Sequence, residues 1–96
     1  MKRTKIALIS NTVTIGDEIL IRAWVRTRRD SKTFSFLNLN DGSNLSGVQV
    51  IVDASIVNYA DILRLTTGAS VEVIGVLAAS QGQTPGLEIQ AKSISI

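Results

Sequence analysis

Short runs of turn-forming residues divide this sequence at even intervals, and they constrain its fold more than any other feature. They occur at Gly16-Asp17, Asp30-Ser31, Asp41-Gly42-Ser43, Gly68 and residues 80–86. Between them lie five segments, rich in Val and Ile, in which apolar residues alternate with polar or small ones: roughly 17–29, 33–40, 46–53, 69–79 and 87–96. An alternation of this kind is typical of strands that bury one face. The sequence therefore predicts five β-strands.

One segment, residues 54–65, has a different periodicity. Its apolar residues recur at helical spacing, and the members of this set are Ile56, Tyr59, Ile62 and Leu63. Gly68 follows and is expected to serve as the helix stop. Three strands, a helix and two strands form the order of the OB-fold, a five-stranded Greek-key barrel that binds oligonucleotides on the face near strands 2 and 3. We therefore predict an all-β OB-fold barrel with one short helix between strands 3 and 4.

The length of the chain allows one domain. Ninety-six residues are enough for a single core, so we expect residues 1–96 to be one OB-fold domain in which residues 1–15 are a leading extension packed against the barrel. No apolar run reaches the length of a membrane span, and no signal-peptide pattern follows the start, so we expect a cytoplasmic protein without a membrane partner.

Cysteine and histidine are both absent from the sequence. Their absence excludes disulfides, thiolate nucleophiles, imidazole bases and the usual zinc ligands. The carboxylates are spread along the chain without a pairing that the sequence shows, so a catalytic function has almost no support.

The basic residues are clustered, although the formal net charge is only +2. Five of the ten lie in one stretch of eleven residues: Arg22, Arg26, Arg28, Arg29 and Lys32. A patch of this kind fits a nucleic acid backbone, but a solvated, Arg-rich strand end has the same composition.

The strand alternation sorts side chains into an inner and an outer row. The predicted inner row is Ile19, Ile21, Ala23, Val25, Leu37, Leu39, Val48, Val50, Val52, Leu87, Ile89 and Ala91. The predicted outer row is Arg22, Trp24, Arg26, Arg28, Phe34, Phe36, Asn38, Asn40, Gln49, Glu88, Gln90 and Lys92. An outer face of arginines, aromatic rings, amides and a carboxylate suits single-stranded RNA, because these groups meet phosphates, stack on bases and read base edges.

Several outer residues have simpler interpretations. Phe34 is expected to pack beneath the leading extension or beneath the loop after Arg29, and Trp24 is expected to pack under the N-terminal segment. Glu88 has the alternative of being an ordinary solvated strand residue. On physical grounds alone, the pattern indicates an oligonucleotide-binding barrel and names no particular nucleic acid.

A resemblance narrows this choice. The run Ala23-Trp24-Val25-Arg26-Thr27-Arg28-Arg29-Asp30-Ser31-Lys32, followed by Phe36-Leu37 and Asn40-Asp41-Gly42-Ser43, resembles the first strands of the anticodon-binding domain of asparaginyl-tRNA synthetases. The resemblance continues through Val48-Gln49-Val50, residues 63–68, residues 71–75 and residues 87–91, so it covers most of the chain. The Arg-Arg-Asp-Ser-Lys run separates it from the aspartyl and lysyl relatives. One departure is Ala23, where the family usually has Gly, and this change concerns packing.

The resemblance implies roles for single residues. Phe36 occupies the place of the aromatic residue that stacks on the middle anticodon base, and Gln49 that of the amide that hydrogen-bonds in the anticodon. Arg29 matches a basic residue at the anticodon loop, and Glu88 matches the carboxylate that reads the first anticodon base. The implied ligand is the anticodon loop of tRNA(Asn), with anticodon GUU. Two further arginines of the patch complete the predicted tRNA-binding set: Arg26 and Arg28.

The resemblance stops about where the catalytic domain of a class II synthetase would begin. We therefore expect no aminoacylation by this chain alone, and ATP and Mg²⁺ would belong to a catalytic domain that these residues lack. The chain is then either a fragment of a longer enzyme or a free-standing paralogue of the anticodon domain. Its protein partners would be a catalytic domain, a synthetase that it regulates or docks onto, or a second copy in a homodimer. A general single-stranded nucleic acid binder is the remaining alternative.

Overall fold

The computed structural model describes residues 3–6, 14–43, 47–56, 59–79 and 87–95. Its strands are β1 (Glu18–Asp30), β2 (Phe34–Asn40), β3 (Val48–Asp53), β4 (Ser70–Ala79) and β5 (Leu87–Ser95). In the described residues, one helix, α1 (Tyr59–Ile62), lies between β3 and β4. The predicted element order is confirmed, and the strand limits agree with the sequence expectations to within two residues.

The strands form a closed barrel in the order β1-β2-β3-β5-β4. The β3 and β5 strands run parallel and pair over three residues each, whereas the other neighbours are antiparallel. This is the five-stranded OB-type barrel that the sequence predicts, with one short helix in the expected place.

The core is built by the inner rows of the strands, as the alternation predicts. Ile21, Leu37, Val50, Val73 and Ile89 have no solvent exposure, since each points into the barrel. Two predicted inner residues, Leu87 and Ala91, are only partly buried, and they pack against the edge of this core. Burial of an aliphatic side chain stabilises a fold by about 1.5–3 kcal/mol, so the barrel interior supplies most of the driving force.

Helix α1 is shorter than the predicted segment. It ends at Ile62, whose fully buried side chain packs into the barrel core, whereas Leu63 is 41% exposed. Gly68 is not the helix stop. Its φ is +93°, and its N–H donates to the carbonyl of Val25 at 2.7 Å, so it returns the chain onto β1. The apolar spacing correctly predicted that this segment contacts the core, but it overestimated the length of the helix.

Two glycines allow backbone segments to approach closely. A Cβ on Gly47, whose φ is +70°, would collide with the carbonyl oxygen of Leu39. A Cβ on Gly75 would lie 2.5 Å from the carbonyl oxygen of Gln90 and 2.6 Å from the Cγ2 atom of Ile89. The second glycine sits at a register shift between β4 and β5, where a side chain would separate the strands.

Residues 3–6 of the leading extension add to the wall beside β1. Arg3 forms a parallel bridge with Leu20, and the N–H of Thr4 donates to the Leu20 carbonyl at 2.7 Å. Ile6 is buried in the core, and its N–H donates to the carboxylate of Asp41 at 2.9 Å. This segment therefore covers the part of β1 that β2 does not reach. In the described ranges, no helix is both long and apolar enough to cross a membrane.

Candidate nucleic acid interface

The outer face of β1 changes direction at a bulge. Strand β1 pairs with β4 along its first half and with β2 along its second, and its register against β2 shifts between Val25 and Thr27. Before the shift, Val25 is buried, as predicted. After it, Arg28 stands opposite the buried Leu37, and Arg29 comes to the outer face. The alternation predicted from the sequence is therefore reversed at the end of β1.

The predicted outward direction of Arg28 is wrong for this reason. Its guanidinium Nη1 donates to the carbonyl oxygens of Ile62 and Leu65, each at 3.1 Å. Its Nε lies 3.4 Å from the carboxylate of Asp30, and its side chain is 25% exposed. Arg28 thus joins β1 to the end of helix α1, beneath the strand whose outer face carries Arg29.

Arg29 and Phe36 form the centre of the outer face. They are cross-strand partners, and the Arg29 guanidinium carbon lies over the Phe36 ring, 4.9 Å from its centroid. Phe34 meets the same ring edge to face, with centroids 5.0 Å apart. Phe34 is therefore half-buried against Phe36 on the barrel wall. This arrangement presents a cation and a π-surface together.

A cleft of about 530 Å³ opens beside this pair. It is lined by residues of three strands, and they include Arg26, Thr27, Arg29, Phe36, Asn38 and Gln49. The cross-strand register explains the grouping, because Thr27 stands opposite Asn38 and Asn38 stands opposite Gln49. The cleft therefore combines two guanidinium groups, one aromatic ring and two amides, which is a suitable lining for nucleotides.

Glu88 continues this row onto β5. It stands opposite Gln49 in the parallel β3–β5 pair, and the Gln49 Nε2 donates to its Oε2 at 3.4 Å. The structure brings together four of the predicted site residues in this way: Arg29, Phe36, Gln49 and Glu88. Arg26 lies on the same cleft, whereas Arg28 lies on the other side of the wall.

The alternative interpretation of Glu88 as a solvated strand residue is wrong. Its residue exposure is only 2%, and its Oε1 has no hydrogen-bond partner among the described residues. Burial raises the pKa of Glu88 above its ordinary value, and the hydrogen bond from Gln49 opposes this shift. A buried carboxylate oxygen without a donor is costly to the fold. The group is therefore well suited to a ligand that supplies N–H donors.

Two other outer residues differ from their predicted environment. Asn40 is buried rather than exposed, and its Oδ1 accepts the N–H of Gly42 at 2.6 Å. Trp24 is 42% exposed, and the edge of its indole lies against Gly42. Gln90 and Lys92 are exposed on β5, as predicted, and Lys92 forms an ion pair with Glu18 at 2.9 Å.

Sequence reasoning missed the group of polar residues that surrounds Arg28. Ser35 has no exposure, its Oγ lies 2.8 Å from a carboxylate oxygen of Asp30, and it lies 2.8 Å from the Tyr59 hydroxyl. The missed signal was a serine in the inner row of β2, where the alternation calls for an apolar side chain. Asn38 was placed on the outer face, but its position between Thr27 and Gln49 depends on the register, which the sequence does not show.

The chain matches a family model over residues 19–96, and that family is the tRNA anti-codon family, described as an OB-fold nucleic acid binding domain. The match covers all five strands and the helix. The chain belongs to this family. In this member of the family, the Arg29–Phe36 pair lies on the wall that β1, β2 and β3 form.

The asparagine–tRNA ligases that this chain matches in sequence are much longer than the chain. The chain is 43% identical over 96 residues to the asparagine–tRNA ligase of Porphyromonas gingivalis, and this match covers the whole chain and 20% of the ligase. It spans about a fifth of the curated relatives that it matches.

Solved structures show the same fold. An asparaginyl-tRNA synthetase from Pyrococcus horikoshii, in complex with asparaginyl-adenylate, superposes with a TM-score of 0.79 at 20% identity, over 100% of this chain and 22% of that one. A protein named OBody AM1L10, bound to hen egg-white lysozyme, superposes with a TM-score of 0.79 at 21% identity, over 99% of this chain and 93% of the other. The second neighbour is therefore almost entirely one such barrel.

Proposed function

We propose that this OB-fold domain binds the anticodon loop of tRNA(Asn), as one part of an asparagine–tRNA ligase. Three observations support the proposal: the family match, the ligase relatives that are 43–48% identical to the chain, and the chemistry of the cleft. The observation that carries most weight is local. A guanidinium, an aromatic ring, an amide and a buried carboxylate follow one another across neighbouring strands of one wall.

In this proposal, the Arg29–Phe36 pair receives the middle anticodon base. Bases stack on aromatic rings and on guanidinium planes, and each stacked base contributes about 1–3 kcal/mol. Phe36 is held from the side by Phe34, so the ring has little freedom to lose when a base binds. Arg29 and Arg26 border the same cleft, and their charge meets the phosphates of the loop.

Glu88 and Gln49 read base edges in the same proposal. A guanine at the first anticodon position offers N1–H and N2–H, and a carboxylate accepts both. Among the described residues, the Oε1 of Glu88 lacks a donor, and its Oε2 accepts a long hydrogen bond of 3.4 Å from Gln49. A guanine would therefore satisfy a buried group that the free barrel leaves poorly hydrogen-bonded, while Gln49 offers its carbonyl and amide to a neighbouring base.

The remaining parts of the proposal concern the whole protein. Aminoacylation, with its ATP and Mg²⁺, belongs to a catalytic domain beyond these residues, and that domain would be the first protein partner. The contact of Arg28 with tRNA stays a prediction. Its guanidinium already donates to the carbonyls of Ile62 and Leu65, so the case for an Arg28 contact is weaker than the case for an Arg29 contact.

The experiment is a titration of the chain with RNA stem-loops. We expect a loop with the GUU anticodon to bind more tightly than loops in which the first or the middle base is replaced. The tRNA(Asp) loop tests the third base. Equal affinity for all loops would favour a general single-stranded nucleic acid binder. No binding to any loop, from a folded chain, would contradict RNA recognition and leave the protein-docking alternative.

A further inference from the structure

Four polar side chains form a connected group directly behind the Arg29–Phe36 pair. Arg28 donates through Nη1 to the carbonyl of Ile62, the last residue of helix α1, and to that of Leu65, which follows the helix, each at 3.1 Å. Its Nε lies 3.4 Å from Oδ1 of Asp30. The same Oδ1 accepts a hydrogen bond from Ser35 at 2.8 Å, and the Ser35 Oγ lies 2.8 Å from the hydroxyl of Tyr59. We call Arg28, Asp30, Ser35 and Tyr59 the polar clamp.

The direction of each hydrogen bond in the clamp follows from the donors present. Ser35 has one hydroxyl proton, which it gives to the carboxylate of Asp30. The Tyr59 hydroxyl is therefore the donor in its contact with Ser35. The chain of bonds then runs from helix α1 through Tyr59 and Ser35 to Asp30, and Arg28 returns from Asp30 to the same helix.

The cation of the clamp is better sheltered than the cations of the other ion pairs in the described part of the chain, whereas its carboxylate is about as exposed as theirs. The side chains of Arg28 and Asp30 are 25% and 37% exposed, compared with 63% and 38% for Arg22 and Glu72. Ser35 is completely buried. Because groups in such a setting are costly to leave without partners, the clamp holds a defined geometry that a surface ion pair would not hold.

The register places the clamp next to the proposed RNA site. Asp30 stands opposite Ser35, and the next pair along the two strands is Arg29 opposite Phe36. Arg28 follows on the far side of that pair. The bulge between residues 25 and 27 has already reversed the direction of side chains at this strand end. The clamp therefore lies on both sides of the residue pair that carries the Arg29 guanidinium and the Phe36 ring.

We propose that the polar clamp is a set of positioning residues for the RNA interface: by tying the end of β1 and the start of β2 to helix α1, it holds the Arg29 guanidinium over the Phe36 ring. The inference rests on the proposed function for its RNA readout. It assigns to Arg28, Asp30, Ser35 and Tyr59 an effect on binding without a contact to the base. The site thereby depends on a helix that lies behind the strands carrying it.

The decisive variant is Asp30→Ala, because two explanations give opposite signs. If Asp30 were a bystander, removal of its negative charge near phosphates would strengthen binding of the GUU stem-loop. If it holds the clamp, binding should weaken by about threefold to tenfold, the loss expected for one or two hydrogen bonds. Glu72→Ala is the matched control, since it also removes a carboxylate paired with an arginine of β1, and it should leave binding unchanged or slightly stronger.

Tyr59→Phe provides a second variant that changes no charge. It removes one hydroxyl on helix α1, and we expect binding to weaken by about twofold to fivefold, the loss of one hydrogen bond. The readout in the free protein is the proton chemical shift of the Arg29 side chain, which the Phe36 ring current moves upfield at the observed distance of 4.9 Å. That upfield shift should diminish in Asp30→Ala and in Tyr59→Phe but persist in Glu72→Ala.

The outcomes separate the two proposals. If the wild-type chain binds the GUU loop while Asp30→Ala and Tyr59→Phe bind as well as or better than it, the clamp has no positioning role. An unchanged Arg29 proton shift in both folded variants overturns it independently of RNA. If the wild-type chain binds no loop, the proposed function fails, and the Arg29 shift alone then decides whether the clamp places the guanidinium. If Arg28→Ala weakens binding of the GUU loop and neither Asp30→Ala nor Tyr59→Phe does, Arg28 contacts a phosphate directly and the clamp has no positioning role.

Discussion

Replacement of Glu88 by glutamine should raise stability and lower recognition of RNA at the same time. In the free barrel, the carboxylate is 2% exposed, one oxygen lacks a donor among the described residues, and the other has a contact of 3.4 Å with Gln49. A neutral amide of the same size is easier to bury than this carboxylate. Since a poorly satisfied buried polar group costs about 1–3 kcal/mol, we expect Glu88→Gln to raise the free energy of unfolding by about 1 kcal/mol at neutral pH.

The effect on binding has the opposite sign. Glutamine at position 88 offers one acceptor and places a donor where guanine also has a donor. Discrimination in favour of GUU should therefore fall by about 1–3 kcal/mol, the value of one good bidentate base contact in duplex recognition. Binding to loops with another first base should stay level or improve, because a negative charge has been removed. Urea unfolding and fluorescence titration with the two kinds of stem-loop measure both effects.

The pH dependence gives an independent test of the same group. The pKa of Glu88 is raised in the folded chain by burial, so the unfolded chain releases this proton at lower pH than the folded chain does. The stability cost is absent below the unfolded pKa, grows as the pH rises from the unfolded pKa to the raised folded pKa, and is constant above it. The stability advantage of Glu88→Gln should therefore be absent in acid and appear on the way to neutral pH. Guanine discrimination by the wild-type chain should be lost as the pH falls through the same range.

Glu72→Gln is the control for this argument, because Glu72 is a paired surface carboxylate on β4, with its Oε2 2.8 Å from Arg22. It should lose neither stability nor discrimination by more than a few tenths of a kcal/mol. The reasoning would be refuted if Glu88→Gln behaved like this control, or if it changed the affinity for every loop by the same factor.

Four further substitutions test the interface and the barrel. Phe36→Ala should weaken binding of the GUU loop by about 1–3 kcal/mol with a small change in melting temperature, because the ring lies on the outer face; unchanged affinity would exclude stacking. Arg29→Ala and Arg26→Ala should each weaken binding to all loops and reduce the salt dependence of log K by roughly one phosphate contact; an unaltered slope would exclude that contact. Gly75→Ala should lower the free energy of unfolding by about 1–3 kcal/mol in urea titration, because its Cβ would lie 2.5 Å from a carbonyl oxygen of β5, and it should leave the affinity of the folded chain unchanged.

The sequence predicted the barrel well because barrel walls follow a local rule. Val48, Val50 and Val52 are all buried, and Leu37 and Leu39 have no exposure, as a period of two requires. Strand limits were also predictable, since glycine and aspartate mark the turns. These features depend on neighbours along the chain, and such neighbours are visible in any single sequence.

The errors occurred where a partner strand or a bulge decides the outcome. A bulge between Val25 and Thr27 reversed the direction of Arg28, and no residue type in β1 predicts this bulge. Asn40 is buried although it stands opposite the outward Trp24, and its Oδ1 accepts a backbone hydrogen bond from the following turn. The burial of Glu88 comes from the parallel pairing of β3 and β5, which are far apart in the sequence. The events at Arg28 and Glu88 depend on tertiary register, and alternation within one strand contains no information about it.

The unexpected burial of Glu88 also bears on the function of the site. A resemblance identified the residue as a base-reading carboxylate, whereas the alternative interpretation was a solvated strand residue. The structure places that carboxylate on the outer row and yet shields it, with one oxygen left without a donor in the described residues. A sequence selected for stability alone would place an apolar or neutral residue there. Sites where a fold tolerates such a local penalty are those where a ligand can relieve it, so the burial of Glu88 supports RNA recognition more strongly than an exposed carboxylate would.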